Sequence, residues 1–504
     1  MASAERTHRT GLALLVALGC LLRALYWYST GSTLEDALIT FRYAENLASG
    51  MGFVYNAGEH VLGTSAPLWT LLLAAVRSIG IPDVAACAKI LALVLDAFSM
   101  IAVFTLLRPS GLFPAYLGTA LFCTSPAIVP ISVSGMESPL VVAGMSLALL
   151  GLQRRSVLFA MGCAITLLAR IDGAIFFLTM MSVALACDRP WALKQAAIAL
   201  AVCLPWFLFS FFYFGTLLPE SLLAKRAAYH GSVASSLEPF LMQYTPYLEK
   251  RAVYFIAKSA LFILLLAGLV RTVSRERRLL WSSLFFLAYV AILGTSGALV
   301  FSWYFVPASF ASIILIALGA DWFLQGAGNR PKLRVAALWA ISFGLCAVHL
   351  ATLSARAEHS RQLQSLEEHL RKEAGVYLNM TAPAGSQVFL EPLGYVGYYA
   401  GPALVVHDEI GLVTPSVVRY RMRGDGWYVG ALRELRPDYV LQYAYALEQN
   451  VTEGSGVKLF RDEGEQAWFR GHYREIKQFD ASTIAPLVAS KEKRYILFLR
   501  MPVE

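Results

Sequence analysis

The sequence has few charged residues for its length. Asp, Glu, Lys and Arg make up 15% of the 504 residues, whereas 57% are hydrophobic and the mean hydropathy is +0.57. An ordinary soluble domain has about 25% charged residues. The shortage of charge excludes an ordinary soluble protein and predicts a chain that crosses a membrane many times.

The polar C-terminal part of the sequence lacks cysteine. All seven cysteines fall in apolar runs: Cys20, Cys87, Cys123, Cys163, Cys187, Cys203 and Cys346. The sequence therefore encodes neither a disulfide framework nor a thiolate metal site. It also contains no low-complexity linker and no convincing internal repeat.

The net charge of +8 does not indicate a nucleic-acid partner. Lys and Arg stand in short clusters between apolar runs, which is typical of the cytoplasmic loops of membrane proteins. We therefore expect membrane lipids, and no nucleic acid, among the partners. The N-terminal apolar run resembles a signal peptide, but no small-residue cleavage site precedes Tyr26, so we expect a retained signal anchor.

Eleven apolar segments have about the length needed to cross a bilayer. They are residues 11–28, 84–107, 112–131, 139–153, 156–170, 173–187, 194–214, 252–270, 279–297, 303–323 and 333–354. We interpret a shorter segment, 66–80, as amphipathic or re-entrant. With this count every basic cluster falls on one side, the cytoplasmic side by the positive-inside rule; the clusters are Arg6/Arg9, Arg108, Arg154/Arg155, Arg189/Lys194, Arg271/Arg275/Arg277/Arg278 and Arg330/Lys332/Arg334.

This topology predicts which parts of the chain face outwards. They are the loops 29–83, 132–138, 171–172, 215–251 and 298–302 and the tail after Ala355. The tail combines a charged helix over 355–377 with short β-rich runs at 387–390, 404–406, 439–442 and 494–499. We predict a transmembrane helical domain at 1–354, with its first outer loop at 29–83, and an extracytoplasmic α/β domain at 355–504.

Two adjacent carboxylates, Glu35 and Asp36, follow directly on the first apolar segment. A carboxylate at this depth can reach a sugar on a lipid carrier and take a proton from an acceptor hydroxyl. A phosphate leaving group needs cationic stabilisation more than it needs an acid. Two loop carboxylates are more often solvated surface, so the pair alone does not define a site.

A longer pattern surrounds this pair. Residues 35–69 read E-D-A-L-I-T-F-R-Y-A-E-N-L-A-S-G-M-G-F-V-Y-N-A-G-E-H-V-L-G-T-S-A-P-L-W. The stretch resembles the first outer loop of bacterial GT-C glycosyltransferases, and especially of the arabinofuranosyltransferase-like family typified by the mycobacterial terminal arabinofuranosyltransferase of arabinan synthesis. The resemblance implies a GT-C fold and implies that Arg42 contacts substrate. The family has Asp at position 35, so we favour Asp36 as base and Glu35 as its support.

Three further motifs resemble the same family. Ser134–Leu140 is similar to its G-M-E-T-P-L segment and implies a role for Glu137, while 169–173 is similar to its R-P-D-G segment, with Ile171 in place of Pro. Residues 214–225 are similar to its Y-G-x-x-L-P-N-T-x-x-A-K segment. These motifs imply donor-phosphate or substrate contacts by Arg170, Asp172, Lys225 and Arg226. A bland interfacial charge, a local ion pair and a snorkelling anchor are the alternatives.

Two more segments depart from the family pattern. Trp303–Pro307 retains an aromatic, Tyr304, and a proline but lacks the family's Arg; Tyr304 is a candidate substrate contact or part of an interfacial aromatic belt. The tail segment from Glu391 to Leu412 resembles the family's outer-domain D-x-G-x-x-G-Y-Y…D-x-x-G-L. Acceptor binding and a structural lid are the two interpretations of it.

These observations predict a glycosyltransferase of the bacterial inner membrane. It would move a sugar, with arabinofuranose the first choice, from a polyprenyl-phosphate donor to a cell-envelope glycan. A lipid A or protein (pilin) acceptor is the nearest alternative, and a flippase of lipid-linked sugars is the alternative of another class. A divalent cation held by Glu35, Asp36 and Glu137 is left open, as is retention or inversion at the anomeric carbon.

Overall fold

The structure is a computed structural model that describes residues 2–229, 231–245, 247, 249–326, 331–452, 456–483 and 491–502. Arg330, one of the predicted cytoplasmic cations, lies outside these residues. The described chain is mostly helical and contains one five-stranded sheet near its C-terminus.

The first ten helices contain most of the apolar segments. They are α1 (Ala2–Thr30), α2 (Glu35–Ala48), α3 (Pro67–Ser78), α4 (Val84–Leu107), α5 (Leu112–Thr124), α6 (Val129–Ser132), α7 (Ser138–Arg154), α8 (Leu158–Ala169), α9 (Gly173–Cys187) and α10 (Arg189–Phe214). The next six are α11 (Ser221–Ala228), α12 (Val233–Tyr244), α13 (Ala252–Ser274), α14 (Leu280–Gly294), α15 (Phe305–Gly326) and α16 (Pro331–Leu366).

Seven helices in the described chain are long and apolar enough to cross a membrane. They lie within 7–30, 84–110, 189–214, 252–274, 277–294, 302–325 and 336–381. Four more of the eleven predicted segments form the shorter apolar helices α5, α7, α8 and α9. The chain therefore has the composition and the helices of a multi-pass membrane protein, while its orientation in the bilayer stays a prediction.

Segment 66–80, which we did not count as a crossing, forms the short helix α3. Its 12 residues extend about 18 Å, less than the roughly 30 Å of a hydrocarbon core. Pro67 occupies the first turn, where its missing N–H costs nothing. This length fits the interpretation of an amphipathic or re-entrant segment.

The contacts divide the chain into two compact units. Unit 1 comprises 1–30, 88–205 and 231–358, and unit 2 comprises 31–87, 206–230 and 359–504. The predicted boundary at 354/355 lies four residues from the observed start of the last segment of unit 2. However, the first outer loop, which we had placed in the transmembrane domain, packs with the tail.

Unit 1 contains a buried ion pair between two spanning segments. Arg23 of α1 and Asp96 of α4 are both fully buried, and the Arg23 guanidinium donates to the Asp96 carboxylate. The same guanidinium donates to the carbonyl oxygen of Cys123 at 3.1 Å. Asp96 thus pairs with a neighbouring helix, and Arg23 is held inside the bundle.

The tail begins as a direct continuation of α16. A π-helical turn at Glu367–Lys372 leads into α17 (Glu373–Thr381), so the predicted charged helix is the end of one long helical stretch. The remaining helices are α18 (Leu393–Tyr399), α19 (Pro415–Arg421), α20 (Trp427–Leu435), α21 (Ala444–Gln449) and α22 (Glu463–His472).

The sheet of the tail is mixed, in the order β2-β1-β3-β5-β4. Its strands are β1 (Gln387–Leu390), β2 (Val405–Asp408), β3 (Tyr439–Tyr443), β4 (Tyr473–Asp480) and β5 (Arg494–Arg500). Two of the inner strands, β1 and β3, pair in parallel and are mostly apolar and buried, as is usual for strands covered on both faces. The sequence predicted four of the five strands. It missed β4, whose charged side chains suit an edge.

Candidate active site

Asp36 and Lys225 form an ion pair in unit 2. Lys225 Nζ donates to Asp36 Oδ2 at 3.0 Å, although 189 residues separate the two in sequence. Their side chains are 29% and 25% exposed, so the pair is open to a ligand. Asp36 lies in the first turn of α2, where a carboxylate is favoured by the helix dipole. The structure thus brings together the predicted base and the predicted phosphate clamp.

Helix α11 positions the lysine. Ala224 and Ala228 pack in the core of unit 2, and the backbone N–H of Glu220 donates to the carbonyl oxygen of Leu62 at 2.9 Å. These contacts fix the helix against the first loop and leave Lys225 partly exposed. Arg226, the other predicted clamp, is exposed on the same helix.

Glu35 occupies a different environment from its neighbour. Its carboxylate accepts hydrogen bonds from the backbone N–H groups of Gly394 and Tyr395, the latter at 3.0 Å. Burial raises the pKa of Glu35 to about 8, although Arg371 and the two N–H groups oppose the shift. Glu35 therefore ties the start of α2 to α18, and the geometry gives it a supporting role.

Arg42, which the family pattern suggested as a substrate contact, lies inside unit 2. Its guanidinium donates to the carbonyl oxygens of Tyr55 at 2.9 Å, Leu404 at 3.0 Å and Gly397. The guanidinium also stacks on the Tyr55 ring, 4.4 Å from the centroid. With 3% of the residue exposed, Arg42 is directed to the protein backbone, and its predicted contact with substrate stays a prediction.

A second polar cluster lies in unit 1 around Arg170. The Asp172 carboxylate accepts hydrogen bonds from Arg170 Nε at 2.6 Å and from Arg170 Nη2 at 2.5 Å, which makes the pair bidentate. Glu137 lies 3.6 Å from Arg170 Nη1, and the Tyr289 hydroxyl donates to Asp172 at 2.5 Å. All four residues are buried. The structure brings three predicted residues together, in the arrangement of a local ion pair that also holds Glu137.

The aromatic motif at 303–307 borders this cluster. Arg170 Nη1 donates to the carbonyl oxygen of Trp303 at 3.3 Å, and the Arg170 guanidinium lies 5.1 Å from the centre of the Tyr304 ring. Tyr304 therefore contacts a cation supplied by the 169–173 motif, in a segment that lacks the family's own arginine.

The second half of the tail motif forms a turn. The buried carboxylate of Asp408 accepts from four consecutive backbone N–H groups, those of residues 411–414, at 2.6–3.0 Å. Gly411 adopts φ +91°, which favours glycine. The 408–412 segment is therefore a structural turn after β2, and acceptor binding by Asp408 itself is disfavoured.

Sequence reasoning missed several partners. Tyr289 completes the Arg170 cluster from a segment that carried no motif, and Gly394 and Tyr395 hold Glu35 through backbone atoms that any sequence provides. Among the described residues, no three His, Cys, Asp or Glu side chains cluster as ligands for a metal ion.

Two of the comparisons match parts of the chain. Residues 357–498 match a family described as "Domain of unknown function (DUF8728)". The terminal β-(1→2)-arabinofuranosyltransferase of Mycobacterium tuberculosis is 28% identical over 226 residues, covering 38% of this chain and 35% of the relative. The chain thus matches about a third of the length of that curated relative.

Solved structures match nearly the whole chain. ArnT from Cupriavidus metallidurans bound to undecaprenyl phosphate has a TM-score of 0.62 at 12% identity, covering 97% of this chain and 98% of ArnT. The Archaeoglobus fulgidus oligosaccharyltransferase has a TM-score of 0.59 at 13% identity, covering 94% of this chain and 73% of the oligosaccharyltransferase. The mycobacterial arabinofuranosyltransferase AftD has a TM-score of 0.51 at 15% identity, covering 98% of this chain and 40% of AftD.

These neighbours are membrane glycosyltransferases, and the similarity covers both the helical part and the tail. The chain therefore has the GT-C fold, and part of its sequence resembles one mycobacterial arabinofuranosyltransferase; the sequence predicted both findings.

Proposed function

We propose that this protein is a glycosyltransferase that moves a sugar, arabinofuranose, from a polyprenyl-phosphate donor to a cell-envelope glycan. The reaction takes place on the extracytoplasmic face of the bacterial inner membrane, where the first loop and the tail reside. The observation that carries the proposal is the exposed pair of Asp36 and Lys225, 3.0 Å apart.

The two side chains supply the two functions that the transfer needs. A hydroxyl of the acceptor forms a bond to the anomeric carbon of the donor sugar, and its proton passes to Asp36. The bond between that carbon and the phosphate oxygen breaks, and the polyprenyl phosphate leaves with the electron pair. Lys225, as a point charge, stabilises the negative charge on the departing phosphate.

The relatives support a lipid-linked donor. The ArnT neighbour was solved with undecaprenyl phosphate, and the curated relative is named for the transfer of arabinofuranose. The seven long apolar helices found in the described residues give the protein ready access to a donor that is dissolved in the bilayer. The sugar and the acceptor are the finer parts of the proposal, and a lipid or protein acceptor is the alternative to a glycan.

Transfer by the purified protein in detergent tests the proposal. The substrate is radiolabelled polyprenyl-phosphate arabinofuranose with an arabinan oligosaccharide as acceptor, and the variants are Asp36→Asn and Asp188→Asn. Asp188 is a matched control because its side chain is also 29% exposed and also ion-paired, with Arg155 at 2.5 Å. We expect Asp36→Asn to lose transfer and Asp188→Asn to retain it.

Unchanged transfer by Asp36→Asn contradicts the proposed role of this carboxylate. Movement of the labelled lipid across proteoliposome membranes without transfer would instead support the flippase alternative. The anomeric configuration of the product tests the one-step route, because a single displacement inverts it and retention excludes that route.

A further inference from the structure

A cleft of about 390 Å³ opens in unit 2 beside α18. Its wall includes three tyrosines of that helix, Tyr395, Tyr398 and Tyr399, together with Gln364 and Glu368 from the helical stretch before the tail sheet. The volume is within the range of small-molecule sites in proteins. Neither the ion pair of Asp36 nor the Arg170 cluster uses these side chains.

The tyrosines are held in place. The rings of Tyr395 and Tyr399 are nearly parallel, with an interplanar angle of 22° and centroids 6.2 Å apart. The Tyr398 ring is perpendicular to that of Tyr399, and its hydroxyl donates to Glu45 at 2.6 Å. The Tyr395 hydroxyl lies 3.1 Å from both Thr33 O and Gln364 Oε1. The cleft thus has a preformed aromatic wall, which lowers the entropic cost of binding.

The charged side chains that line the cleft are carboxylates, and one cation, Lys372 Nζ, lies 5.1 Å from the centre of the Tyr399 ring. Glu368 is exposed at its edge and accepts from Gln364 Nε2 at 3.2 Å. Asp83, another residue of the lining, is also exposed and accepts from the backbone N–H of Ala86 at 2.8 Å. Two carboxylates repel a phosphate or another anion, whereas they accept hydrogen bonds from hydroxyl groups.

An aromatic wall with carboxylate and amide groups suits a neutral sugar. The apolar C–H face of a sugar ring packs on tyrosine, and its hydroxyls donate to the carboxylates. We propose that this cleft binds sugar residues of a neutral glycan acceptor, an inference that rests on the proposed transferase function. The ligand is an uncharged, hydroxyl-rich oligosaccharide, and the two carboxylates disfavour a phosphate in its place.

The cleft borders the helix that carries the proposed base. Leu38, two residues after Asp36 on α2, lines the cleft. The Glu35 carboxylate accepts a hydrogen bond from the backbone N–H of Tyr395. An oligosaccharide held against α18 is therefore adjacent to the first turn of α2. This placement gives the tail motif at 394–399 a binding role, whereas the 408–412 turn has a structural one.

Saturation-transfer NMR on the full chain in detergent micelles, without donor, tests the cleft. The probes are an arabinofuranose hexasaccharide and the same hexasaccharide carrying a terminal phosphate. The variants are Tyr399→Ala and Glu368→Gln, and the controls are Tyr28→Ala and Glu373→Gln, which replace exposed residues outside the cleft. Circular dichroism checks the folding of each variant.

We expect the neutral hexasaccharide to bind with millimolar or better affinity and the phosphorylated one to bind more weakly. Tyr399→Ala should weaken binding about tenfold because it removes the stacking surface, and Glu368→Gln should reduce the discrimination against the phosphorylated probe. The two controls should bind as the wild type does.

Three results would overturn the assignment: no saturable binding of the neutral probe, equal binding by Tyr399→Ala and wild type, or preference for the phosphorylated probe. The assay contains no donor, so it separates this proposal from the proposed function. Asp36→Asn should bind the hexasaccharide normally while losing transfer; binding without transfer by the wild type would contradict the function and leave the cleft assignment standing.

Discussion

Lys225 Nζ and Asp36 Oδ2 lie 3.0 Å apart, and about a quarter of each side chain is exposed. In an exposed pair the direct contribution to stability is small, about 0–1 kcal/mol. The pair is therefore maintained at little cost to the fold, and either partner can exchange the other for a ligand. This arrangement suits a site that has to alternate between an empty and a substrate-bound state.

Replacing Lys225 by Met should reduce transfer while leaving the fold intact. The variant removes the charge that stabilises the departing phosphate, so we expect a loss of about 10²–10³-fold in kcat. Steady-state kinetics with the labelled donor measure this. Lys458→Met, which replaces an exposed lysine of the tail, is the control. A fall in the unfolding temperature that accounts for the lost activity would show that Lys225 is structural.

Replacing Gly394 by Ala should separate α2 from α18. A Cβ at this position would lie 2.0 Å from the carbonyl oxygen of Glu35, so the backbone must shift. We expect a loss of about 1–3 kcal/mol in the free energy of unfolding and reduced transfer. Thermal unfolding in detergent measures the first quantity.

Gly471→Ala is the matched control for this variant. Gly471 lies in α22, and an added Cβ there meets nothing within 4 Å. Alanine favours a helix over glycine, so this variant should be as stable as the wild type or slightly more so. Equal stability of the two alanine variants would contradict the close contact between Glu35 and Gly394.

Asp172→Asn should destabilise the protein strongly. It leaves the buried Arg170 guanidinium without its bidentate partner, which costs about 3–5 kcal/mol. The double variant Arg170→Met/Asp172→Leu removes both charges and should recover part of this loss. If the residues instead bind substrate, Asp172→Asn will unfold like the wild type, and only the KM for donor or acceptor will rise.

Glu409 should make the stability of the tail depend on pH. Burial raises its pKa to about 8, against the influence of Arg421 and of the hydrogen bond from Gln442 at 2.6 Å. The folded state therefore binds a proton more tightly than the unfolded chain, whose carboxyl titrates near 4.5. The resulting contribution to the free energy of unfolding is fully present below pH 4.5 and is lost as the pH rises towards 8.

The variant Glu409→Gln, which cannot ionise, tests that dependence. Between pH 5 and pH 8 its unfolding temperature should fall less than that of the wild type, because only the wild type loses a proton from residue 409 in this range. Glu373→Gln, at an exposed position of α17, should follow the wild-type curve. Parallel curves for wild type and Glu409→Gln would contradict the raised pKa.

The local elements of this fold were predictable because their signals are local. Apolar runs predicted the spanning helices, and the β-rich run at 387–390 coincides with β1. The charged strand β4 was missed because its order Tyr-Arg-Glu-Ile-Lys-Gln-Phe-Asp has no regular alternation and only two buried residues. Its position at the sheet edge, supplied by pairing with β5, is a tertiary property.

The site was predictable in part. Asp36 and Lys225 were both identified through family motifs, but nothing in either motif says that the two side chains meet. The contact of Glu35 with Gly394 spans 359 residues, and it uses backbone N–H groups that leave no trace in the sequence. The backbone contacts of Arg42 could not be predicted, because a motif marks a residue as important without distinguishing a ligand contact from a support of the backbone.

The composition of unit 2 has a consequence for biosynthesis. Its three segments, 31–87, 206–230 and 359–504, leave the ribosome at very different times. The first loop emerges early, but the backbone groups that hold Glu35 and Arg42 emerge only with the last third of the chain. The first loop is therefore made long before these partners exist, and a ribosome that stalls before residue 393 leaves Glu35 without the two N–H groups that hold it.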